Sequence, residues 1–289
     1  MPNHVFRKRL FSVIILLVVL DLFIWSKIVY GYSLSPAEIF FLDVGQGDAS
    51  LLKLKSGHKI LIDGGPDPGL VGKLDEAMAQ DYKYLDLVTV SHPQRDHFAG
   101  INYLLDYYDV GAFVYSGRDP IESETEWRAL KTKLKAKNIP ILALLQKDSI
   151  KIGPDEIEVV SPGSDFWQSG ELNDTSLVLW LKTEGGRALF VGDIGESVER
   201  AILSKGDISA DILKIGHHGS KYSSSAGFLA QIKPFVSVIS VGARNNYGHP
   251  SKLVIDRLRD QESSVFRTDQ NGTVRINLRE NKLRVFTER

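Results

Sequence analysis

Ser91-His92-Pro93-Gln94-Arg95-Asp96-His97 follows the apolar run Leu85–Val90. The run is short and rich in Leu and Val, so it reads as a buried strand. Behind it stand two imidazoles and a carboxylate with H-x-x-x-D-H spacing, at a strand end and the turn after it. Nitrogen and oxygen donors on a rigid strand end are how a chain builds an open divalent-metal site. Two later clusters repeat the context. Leu189-Phe190-Val191-Gly192-Asp193 ends on a carboxylate, and Ile212-Leu213-Lys214-Ile215-Gly216-His217-His218-Gly219-Ser220 ends on paired imidazoles. Sheets in α/β proteins place their ligands just beyond the carboxyl ends of strands, so the three clusters are expected to meet around a metal. Each also has a plainer reading. Asp96 or Asp193 could cap a helix, His217-His218-Gly219 could be a turn, and His4 and His58 are ordinary surface histidines.

The chain of 289 residues is long enough for one large α/β core. It has no cysteine, which excludes disulfides and thiolate-held zinc, so any metal rests on His and carboxylate. Of 35 Lys/Arg and 36 Asp/Glu, residues 1–34 hold Arg7, Lys8, Arg9, Lys27 and Asp21, leaving 31 basic against 35 acidic groups. A net-acidic body lacks the global field of a tight nucleic-acid binder.

Residues 1–34 read as a membrane-targeting segment. Arg7-Lys8-Arg9 precedes Leu10–Trp25, apolar except for Ser12 and Asp21. As a helix that stretch spans ~24 Å against a hydrocarbon core of ~30 Å. Continuing through Ile28-Val29-Tyr30 closes the gap, with Lys27 snorkelling and Trp25, Tyr30 and Tyr32 at the interface. The rival reading is a signal peptide cleaved near Gly31-Tyr32-Ser33. Either way the basic flank stays inside and the domain of residues 35–289 lies outside the cytoplasm, at the cell membrane as a single-pass protein, or secreted after cleavage.

Beyond the segment, strands and helices alternate. Ile39–Val44, Ser50–Leu54 and Lys59–Ile62 are short and closely spaced, as in an antiparallel meander. Helices are expected at Leu70–Gln80, His97–Tyr107, Glu122–Asn138, Glu196–Ser204, Phe228–Ile232 and Ser251–Gln261. Further strands are expected at Gly111–Tyr115, Ile139–Leu145, Ile150–Lys151, Ile157–Val160, Ser176–Lys182, Arg187–Val191, Ile212–Ile215, Phe235–Val241, Val265–Arg267, Gly272–Leu278 and Lys282–Phe286. Two β-rich halves, each with helices, suggest two sheets face to face with helices outside.

The motifs resemble the metallo-β-lactamase superfamily, and more narrowly the extracytoplasmic hydrolase domain of the ComEC/Rec2 competence proteins in a stand-alone form. The matching segments are Phe41-Leu42-Asp43-Val44-Gly45-Gln46-Gly47-Asp48, Ile60-Leu61-Ile62-Asp63-Gly64-Gly65 and Ser91-His92-Pro93 with Asp96-His97 and Gly100. Asn173-Asp174-Thr175-Ser176-Leu177-Val178-Leu179, Val191-Gly192-Asp193, Leu213–Ser220 and Asn246-Tyr247-Gly248-His249-Pro250 continue the series, over roughly residues 38–286. The resemblance implies an αββα sandwich, preceded here by one N-terminal transmembrane helix, with the site at one edge.

The departures matter. The superfamily's His-x-His-x-Asp-His motif has Gln94 at its second histidine. Its third first-site histidine has no counterpart among Asn173, Asp174 and Ser176. The first metal position therefore loses two imidazoles, and an amide oxygen suits Mn²⁺ better than Zn²⁺. The second position keeps Asp96, His97, Asp193 and one of His217/His218, His218 being favoured because a Gly follows it. One firm divalent ion, Mn²⁺ or Zn²⁺, is expected, with a second weak or absent. Asp96 or Asp193 would serve as general base, and His217 or His249 would supply a proton to a leaving alkoxide. Asp48 and Asp63 would orient ligands, and His217, Lys221 or Arg244 would meet charge on a phosphate. The resemblance implies single-stranded DNA as substrate and, as a possible partner, a separate channel protein. Lys214, Lys221, Arg244, Lys252, Arg257 and Arg259 form a basic track or a scatter of surface charge, and Tyr222, Tyr247, Trp167 and Phe98 stack on bases or belong to the core. A phosphodiesterase or nuclease stands first. Behind it come a metallohydrolase of another small ester, amide or phosphocholine-like substrate, and a non-catalytic DNA-binding or assembly module.

Overall fold

The computed structural model describes residues 3–31, 36–79, 81–120, 125–206, 208–279 and 282–289. Tyr32 and Ser33, the helix end at Gln80 and the helix start at 122–124 lie outside the described residues, as do the side chains of Lys27 and Tyr30.

Helix α1 (Asn3–Gly31) comes first. Its stretch Phe6–Ser26 is long and apolar enough to cross a membrane, and no part of it is buried against the rest of the chain. A helix that is apolar along this length and unburied is a candidate membrane span, and a signal segment has the same character. The chain then enters β1 (Ala37–Phe41), β2 (Ser50–Lys53) and β3 (Lys59–Ile62), which pair antiparallel as the closely spaced runs predict. Helix α2 (Gly69–Met78), β4 (Tyr84–Thr89), α3 (Arg95–Leu104), β5 (Asp109–Tyr115), α4 (Thr125–Ala136) and β6 (Ile141–Ala143) complete the first half. The second half runs β7 (Ser149–Ile152), β8 (Asp155–Ser161), α5 (Ser164–Trp167), β9 (Val178–Thr183), β10 (Gly186–Phe190), α6 (Glu196–Leu203), β11 (Ile212–Lys214), α7 (Ala226–Ile232), β12 (Val236–Ile239), α8 (Lys252–Asp260), β13 (Ser264–Arg267) and α9 (Thr268–Asn271). The hairpin β14 (Val274–Arg279) and β15 (Lys282–Thr287) then returns to the first sheet.

The sheet orders are β15-β14-β1-β2-β3-β4-β5-β6 and β13-β12-β11-β10-β9-β8-β7. Side-chain alternation explains the layering. Ile39 and Phe41 point into the core between the sheets, while Phe40 points to the helices on the outside. Phe41 meets Phe190 of the opposite sheet with ring centroids 6.0 Å apart. Trp127, Leu130 and Leu134 of α4 pack on the outer face of the first sheet beside Phe98 of α3. Val198 and Ile202, Phe228 and Ile232, and Val254 and Leu258 cover the second sheet. This is the αββα sandwich expected from the motifs, and truncating a buried residue such as Leu130 to Ala would destabilise it by about 2–5 kcal/mol.

Several boundaries differ from the sequence pattern. Helix α3 ends at Leu104, where the chain tightens into a turn in which the Asp106 and Tyr107 amides reach the carbonyls three residues back, Tyr103 at 3.0 Å and Leu104 at 2.9 Å. The short helices α5 and α9 carry too few residues to leave a periodic signal. Neither carboxylate cluster caps a helix. Gln94 precedes α3 without a side-chain cap bond, and Gly195, which has no side chain to cap with, precedes α6. Among the described residues, Ser225 and Ser251 give side-chain caps, on α7 and α8.

Candidate metal centre

Strands β3, β4, β5 and β6 run parallel, as do β10, β11, β12 and β13. The loops leaving β1, β3, β4, β10, β11 and β12 converge at one end of the sandwich. Backbone bonds tie three of them together: Asp48 N–H to Asp96 O at 3.2 Å, Gly65 N–H to Asp48 O at 2.8 Å, and Gly100 N–H to Gly65 O at 3.0 Å. Glycine is required at this crossing. A Cβ on Gly100 would collide with the Gly64 carbonyl, and one on Gly47 with the Asp96 carbonyl. Gly192 sits at φ +55° between Ser176 and Ser91, and so lets the β10 loop pass the β4 loop.

His92, Asp96, His97, Asp193 and His218 come together there. His92, His97 and Asp193 form one group able to hold an ion, and Asp96, His97 and His218 form another, so His97 is common to both. His97 Nε2 lies 3.5 Å from Asp193 Oδ2 and 4.0 Å from Asp96 Oδ2. His218 Nε2 lies 3.2 Å from Asp96 and 3.7 Å from Asp193. His92 Nε2, His97 Nε2 and Asp193 Oδ1 are buried and have no hydrogen-bond partner. Buried polar atoms are seldom left unmatched, and orphaned imidazole nitrogens beside carboxylates fit a divalent cation. The donor set of nitrogen and oxygen atoms suits Zn²⁺ or Mn²⁺.

The backs of the imidazoles are held by the body of the protein. Asp63, itself at φ +60°, accepts from the Ser91 amide at 2.7 Å, the Ser91 hydroxyl at 2.9 Å and His97 Nδ1 at 3.0 Å. The same hydroxyl lies 3.1 Å from His92 Nδ1. With a metal bound, a proton on each Nδ1 would leave both Nε2 atoms as lone-pair donors towards the centre. His218 is fixed likewise, its Nδ1 lying 3.0 Å from the Ser240 carbonyl and 3.3 Å from Asp48. Asp48 is buried in an ion pair with Lys214 at 2.7 Å. His217 and His218 sit consecutively at φ +49° and +52°, a conformation L-residues seldom adopt and one that collects at functional sites. The turn reading of this cluster and its convergence on the centre thus hold together. His218 is buried, whereas the His217 side chain is 34% exposed and stands 3.9 Å from Asp193.

The charges are strongly coupled. Burial opposes charge on His218, but Asp193, Asp48 and Asp96 outweigh it and raise its pKa to about 10. Burial also opposes charge on His97, and Asp193, Asp63 and Asp96 raise it well above the ordinary imidazole value. His92 goes the other way, lowered to about 4 by burial and then by His97. Against burial, His97 and His218 hold the Asp193 and Asp96 carboxyls below the usual range. Without a metal the centre therefore stores protons on His97 and His218.

The two amides at the missing histidine positions find each other. Gln94 Nε2 donates to Asn173 Oδ1 at 2.6 Å, and Ser176 turns its hydroxyl to the Asn173 carbonyl at 2.7 Å. His249 lies at the rim, its ring 5.9 Å from His217, and Tyr247 stacks on it at 5.8 Å. Asn245 holds that loop, accepting the His249 and Tyr247 amides and donating to the His249 carbonyl. Lys221 and Arg244 are exposed nearby in sequence, Lys221 lying over the Tyr222 ring.

The basic track does not survive as a whole. Lys214 is buried against Asp48, Arg257 donates to the Ser223 and Ser224 carbonyls, and Lys252 and Arg259 pair with Asp256. Phe98 is core, and Trp167 donates its indole N–H to the Ser116 carbonyl. Ser91, Lys214, Ser240 and Asn245 shape the site without having been singled out for that role. Only Ser91, beside His92, carried a sequence hint.

A two-sheet α/β sandwich with His and Asp clusters at its strand ends defines a class of metal-dependent proteins. The chain belongs to the metallo-beta-lactamase superfamily, whose family profile matches residues 42–242. Within it, the chain is similar to ComE operon protein 3 of Bacillus subtilis, 29% identical over 264 residues that make up 85% of this chain and 34% of that protein. It is also similar to Recombination protein 2 of Haemophilus influenzae, at 28% identity over 86% of this chain and 30% of that protein. The chain spans about a third of the length of these curated relatives. Among solved structures it shares the fold of a metal-dependent hydrolase of the β-lactamase superfamily, with a TM-score of 0.52 and 13% identity over 80% of this chain and 95% of that one. These similarities agree with the competence-protein resemblance of the motifs and support a metal-dependent hydrolase.

Proposed function

We propose that the protein is a metal-dependent phosphodiesterase that cleaves single-stranded DNA outside the cytoplasmic membrane, held there by α1 with Arg7-Lys8-Arg9 inside. The observation that carries the hydrolase reading is the convergence of unpartnered His97 Nε2 and Asp193 Oδ1 with Asp96 and His218. The substrate class rests on the relatives, one named a recombination protein and another, from Neisseria gonorrhoeae, a competence protein.

His97, Asp193, Asp96 and His218 would hold one divalent ion, with Mn²⁺ and Zn²⁺ both compatible. Such an ion supplies Lewis-acid polarisation of a phosphoryl oxygen and lowers the pKa of bound water towards ~7. His92 would face a second position that Gln94 and Asn173, bonded to each other, hold only weakly. Asp193 is buried and acts as a ligand. The Asp96 side chain is 33% exposed and is the carboxylate able to take a proton from an attacking water. Burial, His217 and His218 lower the pKa of His249, so it stands neutral and offers a hydrogen bond. His217, partly exposed and 3.9 Å from Asp193, is placed to serve the leaving alkoxide. Tyr247, 71% exposed on His249, gives a base a stacking platform, and Lys221 and Arg244 meet the backbone charge. The domain is residues 35–289, carried by segment 1–34, with a channel protein as the partner that would deliver the strand.

One observation favours a second reading, a DNA-binding module without turnover: the Gln94–Asn173 bond closes off half of the usual centre. Single-turnover hydrolysis of a generic phosphodiester by the metal-loaded chain separates the two. Release of product supports the enzyme. Salt-dependent DNA binding without product supports the module.

A further inference from the structure

The anchor joins the fold at the end opposite the metal centre. Gly31 ends α1 and Ala37 begins β1, and the residues between them can span at most about 20 Å. Ala37 pairs with Leu278 and Leu278 with Leu283, so the end of β14 and the start of β15 lie level with the chain's entry. Asp48, Asp63, His92, Asp193 and His218 all follow the other ends of their strands. Strand β1 alone separates the two ends by roughly 13 Å at about 3.3 Å per residue.

The entry end has the composition of a surface that faces headgroups. Val274, Ile276, Leu278, Leu283 and Val285 of the hairpin fill the inter-sheet core. Its other face carries Arg279, Lys282 and Arg284 towards the entry end and Arg275 towards the end of the metal centre, and the helices that cover the first sheet bury none of these residues. Arg275 lies over the Phe286 ring and 4.0 Å from Glu38. Arg279, Lys282 and Arg284 are exposed, and among the described residues they have no ion-pair partner. Beside them, at the same end, an open cleft of about 670 Å³ lies between the β9–β10 turn, Phe235, Lys282 and Leu283. Phe235 is 68% exposed at its rim. Among the described residues, two acids that line the cleft are already engaged: Glu184 pairs with Lys55 at 3.0 Å, and Asp211 accepts the Arg187 amide at 2.7 Å. Exposed cations around an exposed aromatic ring match an anionic interface.

We infer that this end of the sandwich, the outer face of the β14–β15 hairpin together with Phe235, rests on the anionic phospholipid headgroups of the bilayer that α1 crosses, so that the metal centre points away from the membrane. The inference rests on the anchor reading above and adds the orientation and the lipid class. A strand arriving at the site would approach from the side remote from the bilayer, and the basic face would serve lipid rather than substrate.

The test uses the full chain, which has no cysteine. Ser264→Cys, in the cleft, and Asn246→Cys, in the loop beside His249, each give one labelling position. Each labelled protein is reconstituted in phosphatidylcholine vesicles with or without phosphatidylglycerol, floated on a density gradient, and read by energy transfer to a headgroup acceptor. Transfer is expected to be higher from 264 than from 246. Phosphatidylglycerol should raise it, and high salt or the combined Arg279→Gln, Lys282→Gln and Arg284→Gln changes should lower it. Equal transfer, or higher transfer from 246, with the protein still floating, overturns the orientation while leaving the anchor intact. Failure to float overturns the anchor reading and this inference together. A label at 264 that responds to a single-stranded oligonucleotide but not to phosphatidylglycerol overturns the lipid assignment.

Discussion

Replacing Asp63 by Asn tests how the centre is aimed. Asp63 accepts three hydrogen bonds from below the site: the Ser91 amide, the Ser91 hydroxyl and His97 Nδ1, all within 3.0 Å. Asn tolerates the φ of +60° found there, so the backbone is not disturbed. The amide offers one acceptor where the carboxylate offered two. If its oxygen keeps the Ser91 amide, its NH₂ group faces the Ser91 hydroxyl and His97 Nδ1. His97 then places its proton on Nε2, the atom that would bind metal. Loss of such an orienting partner weakens metal binding about 10–100-fold, or about 1.4–2.7 kcal/mol. Stability should fall as well, by about 1.5–3 kcal/mol for a lost bond to a charged acceptor. Isothermal titration of Mn²⁺ and Zn²⁺ into the full chain reads the first effect, and chemical denaturation of the metal-free protein the second. An Asp63→Asn protein that binds both ions with wild-type affinity would refute the argument that Asp63 sets the His97 tautomer.

Other expectations follow from the same geometry. His218, raised to about 10, and His97, raised well above its usual value, are protonated in the metal-free protein at pH 7. Metal must displace those protons, so affinity should strengthen as pH rises from 7 towards 9. Titrations in buffers of different ionisation heat should show proton release. In the metal-free protein the His218 contribution to stability is fully present below its unfolded pKa of about 6.5. It is lost as pH rises through about 10, so Tm should decline across that window and saturating metal should reduce the decline. Lys214→Met strands the buried Asp48 carboxylate and should destabilise the fold by about 3–5 kcal/mol. Adding Asp48→Asn should recover a large part of that in denaturant unfolding. Joint Gln94→His and Asn173→His changes break the amide pair and give His92 imidazole neighbours, so mass-spectrometric metal analysis should rise from near one ion per chain towards two.

The sequence exposes those parts of the fold that periodicity and turn chemistry encode locally. The β1–β3 meander alternates side chains between two cores, and the ligands stand immediately after apolar runs, so both can be read before any pairing is known. Ligands following Thr89, Phe190 and Lys214 meet because their strands end at one end of the sandwich, as the motif context implies. What cannot be read locally depends on pairings far apart in the chain. Lys214 looks like surface charge in a one-dimensional reading, but strand β11 buries it against Asp48, 166 positions earlier. Arg257 is likewise drawn into the carbonyls of Ser223 and Ser224. The Gln94–Asn173 bond spans 79 positions. Ser240 contributes only its carbonyl to His218, which any residue could supply, so its identity carries no signal. The short helices α5 and α9 have four residues each, too few for a periodic pattern.

A metal-dependent cut in a DNA strand is read by cleavage of labelled single-stranded DNA. The full chain is assayed with Mn²⁺, Mg²⁺, Zn²⁺ or EDTA, beside Asp193→Ala with its circular dichroism recorded. Cleavage is expected with Mn²⁺ or Zn²⁺, none with EDTA, and none from the folded Asp193→Ala protein. Cleavage that persists in Asp193→Ala, or a folded, metal-loaded wild-type chain that cuts with no ion, would contradict the proposed function.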